Sequence, residues 1–292
     1  MRLPAEAPSG RSRLGSRWVF RLLLLLPAFA ISASLLIACL ILFRYSFETW
    51  SPTTGMQPGW SLVNYFALFR DPLYFKAFQI TLQISFLVTA IALLLGYPVA
   101  YLLSLSRRKH LLLFVIVLPL LMDVLVRAYG WIVLLSRSGL VNRALLWSGL
   151  AERPIQFLGT PTAVVLELLH EVLPFMILPI AGVLQRIDPA LPEAAVGLGA
   201  SRFTAFWRIT VPLSLPGVLA GCMLTFSLAT SAFVAPLILG GGRVFMMSIL
   251  IQQQMTMLLN WPAGSAQAIG LVVLVSALLL GYVRALRAQR TT

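Results

Sequence analysis

Charge is scarce in this chain. Of its 292 residues only 11% are Asp, Glu, Lys or Arg, where a soluble domain carries about 25%. That deficit, beside 59% hydrophobic residues, removes the soluble globular classes and leaves a membrane protein. Lysine is nearly missing: Lys76 precedes Ala77 and Lys109 precedes His110. A nucleotide-binding P-loop needs a lysine after glycine and before Ser or Thr to reach the phosphates, so neither lysine can build one. Whatever energy the protein uses is expected from a partner. Cys39 and Cys222 both lie inside apolar runs, which excludes a disulfide framework and a thiolate metal site. His110 and His170 are too few and too isolated to hold a metal of their own. No nucleophile–base pairing is visible either, so catalytic residues are not expected.

The charge that remains is mostly of one sign, a net +13. Nucleic-acid binding is not expected, because no basic face carries interleaved stacking aromatics. The arginines instead fall in short clusters between apolar runs, where they read as topology signals. Six runs are long enough for the hydrocarbon core, which takes about 20 apolar residues: 20–43, 78–104, 111–135, 161–185, 214–239 and 267–284. Arg2, Arg11, Arg13, Arg17 and Arg21 precede the first, and Arg107-Arg108-Lys109 follow the second. Arg186, Arg202 and Arg208 follow the fourth, and Arg284, Arg287 and Arg290 close the chain. With both ends cytoplasmic, all of these fall on one side. Trp50, Trp60, Trp147 and Trp261 then suit the outer interfacial belt. Leu36-Ile37-Ala38-Cys39 resembles a lipoprotein cleavage site, but the apolar run continues through Leu40–Phe43, so a retained signal-anchor helix is expected.

The segment from Ile187 to Pro212 is the most informative. Asp188-Pro189 starts a helix, the Asp by capping free N–H groups and the Pro by lacking one. Gly197 and Gly199 end it, and Ser201 caps a second short helix whose Phe203, Phe206 and Trp207 share a face. On pattern alone this is equally an amphipathic interfacial linker. The spacing goes further: Glu193-Ala194-Ala195, then Gly199, Ile209 and Pro212. It resembles the EAA motif of ABC importer permeases, with Val211 where leucine is usual.

The resemblance covers residues from about 78 to 284. It implies an all-α integral membrane protein with six transmembrane helices, N-in and C-in, in the MetI-like permease fold. Residues 1–19 would be a cytoplasmic tail, 20–77 the first helix and a periplasmic loop, 78–284 the permease core with its coupling loop at 187–212, and 285–292 a second tail. In such a family the loop docks on an ATPase: Glu193 makes the polar contact, Ala194 and Ala195 keep the face small, and Gly199 makes the bend. The implied partners are a second homologous permease, an ATPase dimer, a periplasmic substrate-binding protein and the bilayer of the bacterial inner membrane. ATP and magnesium would belong to the ATPase, with no cofactor on this chain. The stretches Arg127-Ala128-Tyr129-Gly130, Leu173-Pro174-Phe175-Met176, Leu239-Gly240-Gly241-Gly242 and Asn260-Trp261-Pro262 look like the spermidine/putrescine branch.

Ionisable residues at membrane depth mark a pathway or a buried pair. Asp123 is placed near the midplane of the third span, with Glu171 at similar depth in the fourth and Glu167 one turn above it. These three acids are candidates to line a path for the ammonium groups of a polyamine. Arg127 equally could neutralise Glu167 as a structural pair, with His170 a packing hydrogen-bond donor. Arg127 and Tyr129 offer a rival mouth for an anionic or zwitterionic solute such as an opine, an aminobutyrate-like acid or an aminophosphonate. A channel or an ion-coupled carrier is the alternative of another class, and it would have no use for an ATPase dock.

Overall fold

The computed structural model describes residues 12–288. Arg2, Arg11 and Arg290, used above for orientation, lie outside them, as do parts of both expected tails. In chain order the elements are α1 (Ser12–Tyr45), a hairpin of β1 (Thr49–Ser51) and β2 (Gly55–Gln57), α2 (Val63–Arg70), α3 (Pro72–Leu105), α4 (Lys109–Val117), α5 (Val124–Leu135) and α6 (Leu140–Trp147). There follow α7 (Pro161–Leu184), α8 (Ala190–Gly197), α9 (Arg202–Ala205), α10 (Val211–Ser231), α11 (Val234–Ile238), α12 (Met247–Gln252) and α13 (Trp261–Ala288). Among the described residues, six helical stretches are long and apolar enough to cross a membrane.

The core is a three-helix packing of α3, α7 and α10. The α7 stretch is the most enclosed of the six spans, and Val172, Met176, Ile177 and Ile180 fill its contact faces. Small residues let the backbones approach, which is how helices associate where lipid removes the hydrophobic drive. At Gly221 of α10 an added Cβ would stand 2.9 Å from Met176 Sδ and 3.0 Å from the Met176 carbonyl oxygen. The first span is peripheral. Its Leu26–Tyr45 stretch has no buried share and α1 leans on α13. The helix runs unbroken through the exposed Cys39, and it is already helical at Ser12, inside the expected tail.

Two expectations need correction. The third span, expected as one helix over 111–135, is broken. The helix α4 passes into a 3-10 turn at Leu118–Leu121, Met122 is extended, and a new helix begins at Val124. Pro119 cannot donate to a continuing helix, and Asp123 caps the new one by accepting from the Leu125 and Val126 amides at 2.8 and 3.4 Å. The fifth span, expected to reach 239, ends at Ser231. The chain then turns through α11 and dips back along α3, where the Met247 amide donates to Thr81 Oγ1 at 2.8 Å.

Candidate functional site

The coupling segment folds from its local signals. Asp188 Oδ1 accepts from the Ala190 amide at 3.0 Å, and Ser201 Oγ accepts from Thr204 at 3.1 Å. Between these caps Gly199 sits at φ +93°, a left-handed conformation that a Cβ disfavours, and this makes the bend between α8 and α9. Glu193 lies in the first turn of α8 with Ala194 and Ala195 after it, and Leu198 is almost wholly exposed at the bend. The second helix is not a separate surface piece. After α9 the chain takes a π-helical turn at Phe206–Thr210, which holds Ile209, and passes directly into α10, whose second residue is Pro212. The extra residue of that turn re-aims Phe206. Its ring meets Tyr97 and Tyr101 of α3 edge-on at 6.0 and 5.2 Å, while Phe203 and Trp207 stay exposed. The Tyr97 hydroxyl also bonds Ser214 Oγ at 2.9 Å, so the base of α10 is fastened to α3.

Within the spans, Arg127 is the centre of a charged group. Its Nε donates to Glu167 Oε1 at 3.0 Å and its Nη1 to the Pro119 carbonyl at 3.4 Å, while its Nη2 forms an ion pair with Glu171 Oε2 at 2.9 Å. The break in the third span thus finds part of its compensation, because the guanidinium reaches the backbone that the proline disrupts. The arginine side chain is 5% exposed, Glu167 0% and Glu171 33%. Glu167 Oε2 has no hydrogen-bond partner. Two carboxylates face one guanidinium, so the group is acid-rich, and Glu171 is its accessible edge.

The three acids are not gathered as one lining. Asp123 is exposed at the head of α5 and spends its carboxylate on capping. Tyr129 is likewise exposed, two residues along a helix from the buried Arg127, and does not join it in a mouth. His170 Nδ1 accepts from Trp131 Nε1 at 3.3 Å, so it is an acceptor where a donor was expected. Trp131 and the Pro119 carbonyl were missed by the sequence reading. Proline followed four residues later by a capping Asp was the available signal for the break. A cavity of about 390 Å³ beside this group is lined by Arg127, Trp131, His170 and apolar residues of α5 and α7.

Six spans around a small-residue core, a bent helical pair on the cytoplasmic side and an ionised cluster at membrane depth define a polytopic transport permease. More particularly, the chain belongs to the family of binding-protein-dependent transport system inner membrane components, whose model matches residues 4–292. It is therefore a transport subunit of the inner membrane and not an enzyme. It is 38% identical over 252 residues to the spermidine/putrescine transport system permease protein PotB of Haemophilus influenzae, covering 86% of this chain and 88% of that one. PotB of Escherichia coli K12 is 36% identical over 250 residues, 85% of this chain and 90% of that protein. The inner membrane ABC transporter permease protein YdcU of the same organism is 30% identical over 258 residues, 84% and 81% of the two chains. Among solved structures, a chain of a bacterial ABC transporter that imports the acidic polysaccharide alginate superposes with a TM-score of 0.74 at 20% identity, covering 94% of this chain and 97% of that one. At that identity the likeness speaks for the fold.

Proposed function

We infer that this chain is the permease subunit of an ATP-driven importer for a polyamine of the spermidine or putrescine kind. The observation that carries the substrate class is the excess of carboxylate over guanidinium around Arg127, with Glu167 Oε2 unpartnered and Glu171 accessible. An ammonium group arriving at Glu171 meets a group with two carboxyls and one guanidinium, Glu171 being its accessible edge. Arg127 has its Nε, Nη1 and Nη2 engaged by three acceptors, which leaves it poorly placed to receive an anionic solute. The names of the PotB relatives point the same way.

In this reading the importer contains a second homologous permease, two copies of an ATPase that binds the ATP and magnesium, and a periplasmic binding protein. Glu193 makes the polar contact with the ATPase, Ala194 and Ala195 allow close approach, and Gly199 sets the angle of the bend. Closure of the ATPase pulls on α8, and the Phe206–Tyr101 and Tyr97–Ser214 contacts pass the motion to α3 and α10. Rocking of such elements about a site at membrane depth is alternating access. Calorimetry on the cognate binding protein tests the substrate, with polyamines set against opines, aminobutyrates and aminophosphonates. Tight binding of a polyamine supports the reading, and selective binding of an acid or phosphonate rejects it while leaving the importer mechanism standing.

A further inference from the structure

On the cytoplasmic side a cavity of about 590 Å³ lies between the coupling loop and the ends of α3 and α7. It falls within the size range of ligand sites, about 300–1,000 Å³. Lys109 and Arg202 both line it, with Glu193 as the acid among them, so the lining carries a net charge of +1. Among the described residues neither cation forms an ion pair. Lys109 also opens α4, a nine-residue helix whose N-cap, Arg108, provides no side-chain acceptor for the first-turn N–H groups. The positive end of that helix and the two cations add in one place.

The cavity also has an apolar side. Leu105 and Phe206 line it, Leu105 at 66% exposure, and Phe203, the residue after Arg202, is 72% exposed. An exposed aromatic residue adjoining an arginine, on the side that the basic loops assign to the cytoplasm, suits the headgroup level of a bilayer. A soluble anion would use the cations but leave this apolar flank idle.

We propose that this cavity binds the phosphate headgroup of an anionic phospholipid from the cytoplasmic leaflet, held by Lys109 and Arg202 with the acyl chains on the Leu105 side. Basic pockets between spans on this face suit such headgroups. The bound lipid braces α8, which contributes Pro192, Glu193 and Val196 to one wall, against Tyr101 and Ser104 of α3 on the other. The site is independent of the transported solute and does not rest on the polyamine reading.

Native mass spectrometry of the intact importer, released from micelles after graded detergent washing, tests this with phosphatidylglycerol and phosphatidylethanolamine supplied in equal amounts. The expected result is preferential retention of phosphatidylglycerol, falling about fivefold for each of K109Q and R202Q. R202K should keep most of it, and R153Q on the outer side should change nothing. Equal retention of the two lipids, or equal loss in R153Q, overturns the proposal. An adduct with the mass of phosphate alone, after addition of inorganic phosphate, reassigns the site to a soluble anion and overturns the lipid. A peptide of the ATPase cross-linked to a photoreactive residue at position 105 overturns it in favour of a protein occupant.

Discussion

Glu167 gives one carboxylate oxygen to Arg127 Nε at 3.0 Å and keeps the other, Oε2, buried without a partner. That half-satisfied pair makes the membrane interior of this protein neither a plain structural salt bridge nor an open acidic groove. The guanidinium holds two carboxylates and the disturbed backbone at Pro119, so it organises α5, α7 and the break between α4 and α5. The remaining negative charge is available at Glu171.

Removing the cation should be a folding defect before it is a transport defect. Arg127→Met leaves Glu167 and Glu171 facing each other, and loss of one partner of a buried pair costs about 3–5 kcal/mol. Thermal unfolding of the purified protein in detergent should show a large drop. Adding Glu167→Gln and Glu171→Gln to the same protein should recover much of it, since no carboxylate then lies unpaired in that group.

Glu171→Gln separates transport from stability. Glu167 still neutralises Arg127, so the protein should insert at normal levels. Polyamine uptake should fall about tenfold, the equivalent of about 1.4 kcal/mol. Full-rate uptake by a normally inserted E171Q protein rejects the role given to this carboxylate.

How much of this was legible depended on the range of the interaction. The spans were readable because a bilayer demands apolar length, and that is a property of each segment alone. The coupling loop was readable because Asp188, Gly199 and Ser201 act on backbone within a few residues of themselves. The break at Pro119–Asp123 was hidden inside a run whose hydropathy is unbroken. The signal was local but silent in hydropathy: Pro119, a capping Asp123 and an Arg127 that returns to the Pro119 carbonyl, all within nine residues. Phe206 was grouped on one helix face with Phe203 and Trp207, and the structure separates it from them. A π-helical turn shifts it inward, and what it meets there are Tyr97 and Tyr101, more than a hundred residues earlier in the chain. The pairing of Arg127 with Glu167 was foreseeable from depth, whereas the second contact to Glu171 was not.

The coupling loop makes two separable predictions about the proposed ATPase dock. Glu193→Arg reverses the charge of the proposed contact while leaving the caps at Asp188 and Ser201 in place, so co-purification of the ATPase should be lost from a folded permease. Gly199→Val acts on shape instead. At φ +93° a β-branched residue is strained by roughly 1–2 kcal/mol. The bend should open, weakening ATPase association without removing the charge. Pull-down of the ATPase on tagged permease measures both.

The crossing of α7 and α10 should tolerate no added bulk at Gly221. A leucine there would drive atoms into Met176, whose carbonyl oxygen lies 3.0 Å from the position of a Cβ. Overpacking of this kind costs about 1–3 kcal/mol. Gly221→Leu should lower the unfolding temperature, and Met176→Ala in the same protein should restore part of it.

Asp123 distinguishes a capping role from a solute-binding role, because amide and carboxylate side chains cap helices about equally well. If its work is to accept the Leu125 and Val126 amides, Asp123→Asn should leave both insertion and polyamine uptake near the wild-type level. Asp123→Ala removes the acceptor and should cost about 1 kcal/mol of stability. The effect should appear in unfolding and, through displacement of Arg127 one turn further along α5, in uptake as well. A strong uptake defect in D123N with unchanged stability would give the carboxylate charge itself a part in the solute path and place the path at the broken span. Equal uptake in D123N and wild type leaves that break as architecture, the device that brings the Pro119 carbonyl and Arg127 together.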